Sequence, residues 1–217
     1  MTQNTIPFFQ NRIGTGDNPD SAGSHCQEAS LQSILNYFEP EMGYSFSQLC
    51  QITGRTTELA VWAFQYSIRL VDNGYEVQRW TTVDYPAFAE KGIDYIRGEY
   101  GAEIAEWQEQ NTDFATALEL ANEYIAKVEL VAQKPTVAAI DQAMSQDWLA
   151  KVMVDAGVLN DLGHYLGHSV VVTSVNEGNV TFHDNGLPPQ ENRVETGELF
   201  QEAIDGFGGE MDLIRRR

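Results

Sequence analysis

The chain has 217 residues, of which 42% are apolar and 11% aromatic, so it can bury a core and does not have the composition of a disordered protein. Its 32 acidic and 13 basic residues give a formal charge of −19, which argues against partners such as nucleic acid or anionic lipid. No apolar run approaches the ~18 residues of a membrane span, and the N-terminal residues lack the basic and apolar regions of a signal peptide. We therefore expect one cytoplasmic domain over residues 1–217, with no membrane insertion. The acidic surface indicates strong hydration, with a salt-adapted host or a basic substrate as alternatives.

The first two thirds of the sequence are predicted to be mainly helical. Residues 10–23 are rich in Gly, Asn, Asp and Ser and predict a loop. A helix over 26–38 follows, because its apolar residues recur with the i, i+3, i+4, i+7 spacing of one buried face. Weaker patterns predict further helices over 47–52, 57–70, 84–95 and 113–126 and one from Pro135, with a strand at 75–80.

The last third carries the strand signals. Strands are predicted over 148–154, 168–175, 180–184 and 211–214, and a helix around Phe200. Helices first and strands later indicate the α+β class.

Cys26 opens the helix over 26–38, and a thiol at that place has chemical consequences. Ser24 and Gln27 fit a capping box that would put Cys26 in the first turn. Unpaired N–H groups and the helix dipole there stabilise a thiolate, which makes the sulfur a better nucleophile. The alternative is a small buried residue, as is expected of Cys50. Two cysteines are too few to predict a disulfide framework.

A nucleophilic thiol needs an imidazole, and an imidazole needs an acceptor that fixes its orientation. His168 stands at the head of a predicted strand. If residues 176–178 form a three-residue loop, Val170 pairs with Asp184, and His168 and Asp184 share a face about 7–8 Å apart. A two- or four-residue loop would put them on opposite faces.

Acyl transfer also needs hydrogen-bond donors for the oxyanion. The backbone N–H of Cys26 is one candidate. Gln10, which precedes the Gly-rich loop, is the candidate for a side-chain donor, and a plain surface residue is the alternative.

Four segments together resemble a known family: "IPFFQ", "CQEASLQSIL", "GHSVVVTSV" and "VTFHDNG". They are similar to the bacteriocin-processing-type (double-glycine peptidase-like) members of the papain-like cysteine peptidases. The resemblance implies an α+β papain-like fold, with a helical N-terminal half that carries the nucleophile and an antiparallel sheet half that carries His and Asp. It implies Cys26 as nucleophile, His168 as general base, Asp184 as its orienting partner and Gln10 in the oxyanion hole. Gln27 departs from the family pattern, which usually has Gly after the Cys.

The prediction is thus a cysteine peptidase that cleaves a peptide or protein substrate through a thioester, without a cofactor. A related acyl-transfer enzyme, such as an amidase or a transglutaminase-like enzyme, uses the same groups. An inactive peptide-binding module of the same fold is a further alternative. A metal site at His164 and His168 is disfavoured, because no Glu lies between them as in the helical zinc-protease motif.

Overall fold

The protein is described by a computed structural model, which covers residues 5–10, 25–55, 59–186 and 188–217. The α-helices are α1 Cys26–Phe38, α2 Phe46–Thr53, α3 Phe64–Asp72, α4 Tyr85–Lys91, α5 Ile93–Tyr100, α6 Ala102–Asn111, α7 Phe114–Lys127, α8 Val137–Met144, α9 Ala156–Leu159 and α10 Gly197–Phe207. A 3₁₀ turn, Pro40–Met42, follows α1. Within these described parts, no helix combines the length and the apolar character needed to cross a membrane.

The strands are β1 Tyr75–Trp80, β2 Glu129–Val131, β3 Leu149–Asp155, β4 Gly167–Asn176, β5 Asn179–Asp184, β6 Gln190–Thr196 and β7 Glu210–Arg216. They form one mixed sheet in the order β2-β1-β7-β3-β4-β5-β6. Only the β1–β2 pair is parallel; the other pairs in this described sheet are antiparallel. The α+β class predicted from the sequence is confirmed. The sheet is not confined to the C-terminal half, however, because β1 and β2 pack at its far edge.

Several predicted elements differ from the observed ones for local physical reasons. The helix expected over 57–70 begins only at Phe64, because Ala60 instead forms a parallel bridge with Thr112. The helix expected over 84–95 is split at Gly92, whose φ of 56° lies in the left-handed region. Helix α6 was not predicted, since Ala105 is its only buried residue and it therefore lacks an apolar period. Strand β6 was missed for the same reason, because it is a polar edge strand with a single buried residue.

Two apolar cores lie on opposite faces of the central strands. Val171 and Ile214 join helices α1 to α5 and α7 in the first core. Val170 and Val172, whose side chains alternate with that of Val171, join α8 and α10 in the second. The sheet is therefore covered by helices on both faces, and α1 is held on the first of them by Leu31, Ile34 and Leu35, which are fully buried.

A buried charge cluster crosses the middle of the sheet. Lys151 on β3 donates to Asp212 Oδ2 on β7 at 3.1 Å and to the Tyr66 hydroxyl at 3.0 Å, and that hydroxyl donates to Asp212 Oδ2 at 2.5 Å. Arg79 on β1 donates to Asp212 Oδ1 at 2.9 Å and also pairs with Glu210. Burial raises the pKa of Asp212, but Arg79 and Lys151 outweigh it and hold that pKa at about 2. Burial lowers the pKa of Lys151, against the opposing effect of Asp212. Asp212 therefore serves as the shared counter-ion of two buried cations.

Candidate active site

Cys26 is the first residue of α1 and is a partly exposed residue. The N-cap is His25, which makes no side-chain cap hydrogen bond, whereas the expected capping box had Ser24 in that position. Ser24 itself lies outside the described residues. The amide of Gln27 instead reaches across to β3, where Nε2 lies 3.5 Å from the Met153 sulfur. The first-turn position of Cys26, and hence its proximity to unpaired helix N–H groups, agrees with the prediction.

Glu28, in the same first turn, is fully buried and paired. Its Oε1 accepts from Arg55 Nε at 2.8 Å and from the Thr53 hydroxyl at 2.7 Å. Burial raises the pKa of Glu28, but hydrogen bonding with His25 and the Arg55 guanidinium outweigh it and lower that pKa to about 2. The Glu28 carboxylate stays charged at neutral pH, which anchors the start of α1 to the end of α2.

The hairpin between β4 and β5 brings His168 and Asp184 to one face by a route that differs from the prediction. The loop has two residues, Glu177 and Gly178, both with positive φ as in a type I′ turn, and not the three expected. A β-bulge at Thr173 then shifts the register by one residue, so Val171 pairs with His183. The one-residue bulge offsets the shorter loop, and the same-face placement survives although the predicted loop length was wrong.

His168 and Asp184 are directly hydrogen-bonded. The Nε2 atom of His168 lies 3.0 Å from Asp184 Oδ1, and both side chains are almost completely buried. The same Oδ1 accepts from the backbone N–H of Gly186 at 3.0 Å, and Oδ2 accepts from Arg193 Nη1 at 3.0 Å. With Nε2 facing the carboxylate, the Nδ1 atom of His168 is the ring nitrogen left for a second partner.

Cys26 is the second residue whose side chain interacts with the His168 imidazole. Burial raises the pKa of the Cys26 thiol, but the hydrogen bond and Coulombic attraction to His168, together with the backbone N–H of Ser169, outweigh it and lower that pKa. Burial lowers the pKa of His168, but its hydrogen bonds with Asp184 and with Cys26 raise it to about 9. The two shifts favour a thiolate–imidazolium pair at neutral pH, which is the reactive form of a nucleophilic cysteine.

The sequence did not predict the contribution of Ser169, whose N–H faces the sulfur. The side chain of Ser169 points to α1, where its hydroxyl donates to Ser30 Oγ at 3.0 Å. Asn185, the residue after Asp184, also reaches Ser30. Ser169 and Asn185 therefore fix α1 at Ser30, one turn after Cys26.

The N-terminal segment 5–10 is held at the end of β5 by two residues, His183 and Asn185. His183 Nε2 donates to the Ile6 carbonyl at 2.8 Å, and its ring contacts Phe8 with centroids 5.3 Å apart. The Asn185 amide is satisfied when its nitrogen donates to the Phe9 carbonyl at 2.7 Å and its oxygen accepts from Ser30. Gln10 directly follows these anchored residues.

Gln10 is exposed and borders a cavity of about 270 Å³ lined by Phe8, Phe9, Gln10 and Gln32. Cys26 is not among the described residues that line this cavity. The structure therefore brings Cys26, His168 and Asp184 together, whereas the oxyanion role of Gln10 stays a prediction.

The alternative of a metal site finds no support in the geometry of the two histidines. His164 is exposed, with Nδ1 3.1 Å from the carbonyl of Leu162, and His168 Nε2 is already bonded to Asp184. The segment 163–166 between them is not helical. Among the residues that the structure describes, no group of three or more His, Cys, Asp or Glu side chains is arranged to hold a metal ion.

Comparison of the sequence with known proteins found no matching family model and no matching curated protein.

Cys50 provides an internal control for the reactivity of Cys26. Both residues are partly exposed, so the expectation that Cys50 is buried was wrong. Partial burial and the nearby Glu28 carboxylate raise the pKa of Cys50. We expect iodoacetamide to modify Cys26 at least about tenfold faster than Cys50 at pH 7, because one pKa unit changes the thiolate fraction about tenfold. His168→Ala should remove the difference at pH 7, because the Cys26 thiolate then loses its imidazolium partner. Peptide mass spectrometry of the timed reaction measures both rates, and equal rates in the wild type would contradict the geometry.

Proposed function

We propose that the protein is a cysteine peptidase, a thiol hydrolase that cleaves a peptide or amide bond through a thioester acyl-enzyme. One observation carries the proposal. Cys26, a partly exposed residue at a helix N-terminus, interacts through its thiol with an imidazole that is hydrogen-bonded to a buried carboxylate. This is the nucleophile, base and orienting acceptor that covalent acyl transfer requires.

In the proposed reaction, Cys26 Sγ attacks the substrate carbonyl carbon and His168 delivers its proton to the leaving amine. Asp184 holds the imidazole and stabilises its charged form. His168 then takes a proton from water, which attacks the thioester and releases the acid. The oxyanion of each tetrahedral intermediate is assigned to the Cys26 backbone N–H and to Gln10.

The proposed architecture is papain-like, with the nucleophile on a buried helix and the His and Asp on adjacent antiparallel strands. What supports it is the order of the groups in the chain and the packing of α1 against β4. The substrate class in this proposal is a peptide or protein.

Peptide cleavage with a competing nucleophile tests the proposal and distinguishes hydrolysis from transfer. The protein is incubated with a mixed peptide library, with and without added glycinamide, and the products are read by mass spectrometry. We expect new peptide termini with a free carboxyl group in water, because water reaches the thioester. A dominant glycinamide adduct at low amine concentration would instead assign the related acyl-transfer activity. Absence of both products, with Cys26 no more reactive than Cys50, would contradict the proposal.

A further inference from the structure

Arg193 on β6 contacts the proposed active site at Asp184, on the carboxylate oxygen that does not bond His168. Its Nη1 donates to Asp184 Oδ2 at 3.0 Å and to Asn160 Oδ1 at 2.8 Å, and its Nη2 donates to the Leu159 carbonyl at 2.6 Å. Its Nε donates to Glu195 Oε1 at 2.9 Å. The side chain is nearly buried, at 11% exposure, so these contacts form largely out of water. The guanidinium is thus fixed in orientation by partners on three sides.

The contacts of Asp184 are divided between its two oxygens. Oδ1 accepts from His168 and from the Gly186 N–H, whereas Arg193 is the partner that the described residues provide for Oδ2. A planar guanidinium that is itself held at the Leu159 carbonyl restricts rotation of the carboxylate. Arg193 therefore determines which way Oδ1 points, and with it the direction of the His168 ring.

Arg193 also connects the site to the segment that leads into His168. Its partners Leu159 and Asn160 end α9, and the chain then runs through an exposed loop to β4. Asp155 closes the other end of that loop, where Oδ1 accepts from the N–H of Leu166 at 2.9 Å and of Gly157 at 2.8 Å. The loop before His168 is therefore tied at its two ends to β6 and β3, the strands that flank those of Asp184 and His168.

We propose that Arg193 is a positioning residue of the active site, which acts on Cys26 through Asp184 and His168 and not through general stability. The inference rests on the proposed function, because it assigns Arg193 a part in the same thiolate–imidazolium pair. Among the described residues, the contacts of Arg193 with the catalytic groups are made at the Asp184 carboxylate, and its effect on Cys26 is proposed to pass through that carboxylate.

The charged groups around Asp184 and Cys26 predict how the loss of Arg193 changes Cys26 reactivity with pH. Asp184 is paired with His168 on β4 and with Arg193 on β6, and Arg193 is also paired with Glu195. The charged groups that act on Cys26 are His168, Glu28 and Lys151. Without Arg193, Oδ2 is buried without its donor, so the ionised carboxylate becomes less stable and less well aligned. The imidazolium then loses support, and the thiolate forms only at higher pH. The loss of Cys26 reactivity should therefore be large in acid and small in alkali.

A double-mutant cycle tests this coupling. The variants are Arg193→Met, Asp184→Asn and the double variant, and the readout is the rate of Cys26 alkylation by iodoacetamide from pH 5.5 to 8.5. We expect Arg193→Met to slow alkylation about tenfold at pH 6, the effect of a shift of one pKa unit, and little at pH 8.5. The double variant should be no slower than Asp184→Asn, because the pathway is already broken.

The matched control is Arg215→Met. Arg215 is also an ion-paired arginine, with Glu76, but it lies on β7 about six residues along the sheet from the level of His168, roughly 20 Å away. Its loss should leave the pH profile of Cys26 unchanged. If Arg193→Met fails to fold, Arg193→Lys serves in the same cycle, since it keeps the charge but not the forked donors. It should give a smaller shift of the same sign.

The outcomes separate the two hypotheses. If Cys26 of the wild type reacts no faster than Cys50, the proposed function fails. If Cys26 is reactive but the effects of the two substitutions multiply, or the Arg193 effect is independent of pH, Arg193 has only a structural role and this inference is overturned.

Discussion

Replacing Cys26 by alanine is expected to reduce peptide hydrolysis by at least about a thousand-fold, because no thioester can form without the sulfur. His168→Ala should lose about as much, since the thiolate and the imidazolium act as a unit. For the same reason, the double variant should be no worse than either single one. The measurement is initial rate on a peptide identified by the library experiment, with circular dichroism to show that each variant is folded.

Graded losses are expected at the supporting positions. Asp184→Ala should retain residual turnover, because the carboxylate orients the imidazole and does not react. Gln10→Ala should lower kcat by about a hundredfold if its amide binds the oxyanion. It should leave alkylation of Cys26 unchanged, because that reaction passes through no oxyanion.

Cys50→Ala is the matched control for the cysteine itself. Cys50 lies on α2 and is also partly exposed, and we expect wild-type activity without it. Full activity of Cys26→Ala, or loss of activity in Cys50→Ala alone, would contradict the assignment of the nucleophile.

Asp212→Ala is expected to cause the largest loss of stability, about 3–5 kcal/mol in the free energy of unfolding. It leaves Lys151 without its counter-ion in a fully buried site and Arg79 with Glu210 alone. Such a loss is a large part of the ~5–15 kcal/mol that stabilises a typical domain. Urea unfolding followed by circular dichroism measures it, and Asp212→Asn, which keeps the shape, should be less severe.

The loss of stability in the Asp212 variants should depend on pH through the charge of Lys151. Burial already lowers the pKa of Lys151 below that of an unfolded lysine, and removal of Asp212 lowers it further. Above the folded pKa the unfolded chain binds the extra proton, so stability rises with pH up to the unfolded pKa of about 10.4. The deficit of Asp212→Asn relative to wild type should therefore shrink between pH 7 and pH 10.

Asp94→Ala is the control for the Asp212 substitution, because its ion pair with Arg97 is exposed on one helix and should matter little. A deficit of Asp212→Asn that is the same at pH 7 and pH 10, or an Asp212→Ala variant as stable as the wild type, would contradict the buried-counter-ion interpretation.

The hairpin that carries His168 and Asp184 has the predicted same-face placement of the two residues but not the predicted loop length. The β-branched residues of β4 and the turn before β5 identified the two strands, and the same-face placement of His168 and Asp184 was predicted on a loop of three residues. The loop has two, and the bulge at Thr173 restores the register. Bulges depend on packing against neighbouring strands, so the sequence around Thr173 did not predict this one.

The sequence by itself determined the elements with strong local signals. Helix α1 and strand β1 have the predicted boundaries, because a wide apolar stripe or a strict alternation leaves few other ways to bury those side chains. Local chemistry likewise determined the caps Ser45, Asp84 and Asp113 and the position of Cys26 in the first turn.

Only the tertiary structure decided what surrounds those elements. The order of the strands places β7 between β1 and β3, which creates the buried cluster around Asp212 from residues far apart in the chain. The donor from Ser169 and the clamp of Arg193 on Asp184 likewise arise across strands and loops. Such contacts depend on register and on which element packs against which, and these are set by the summed burial of the whole chain, not by any one segment.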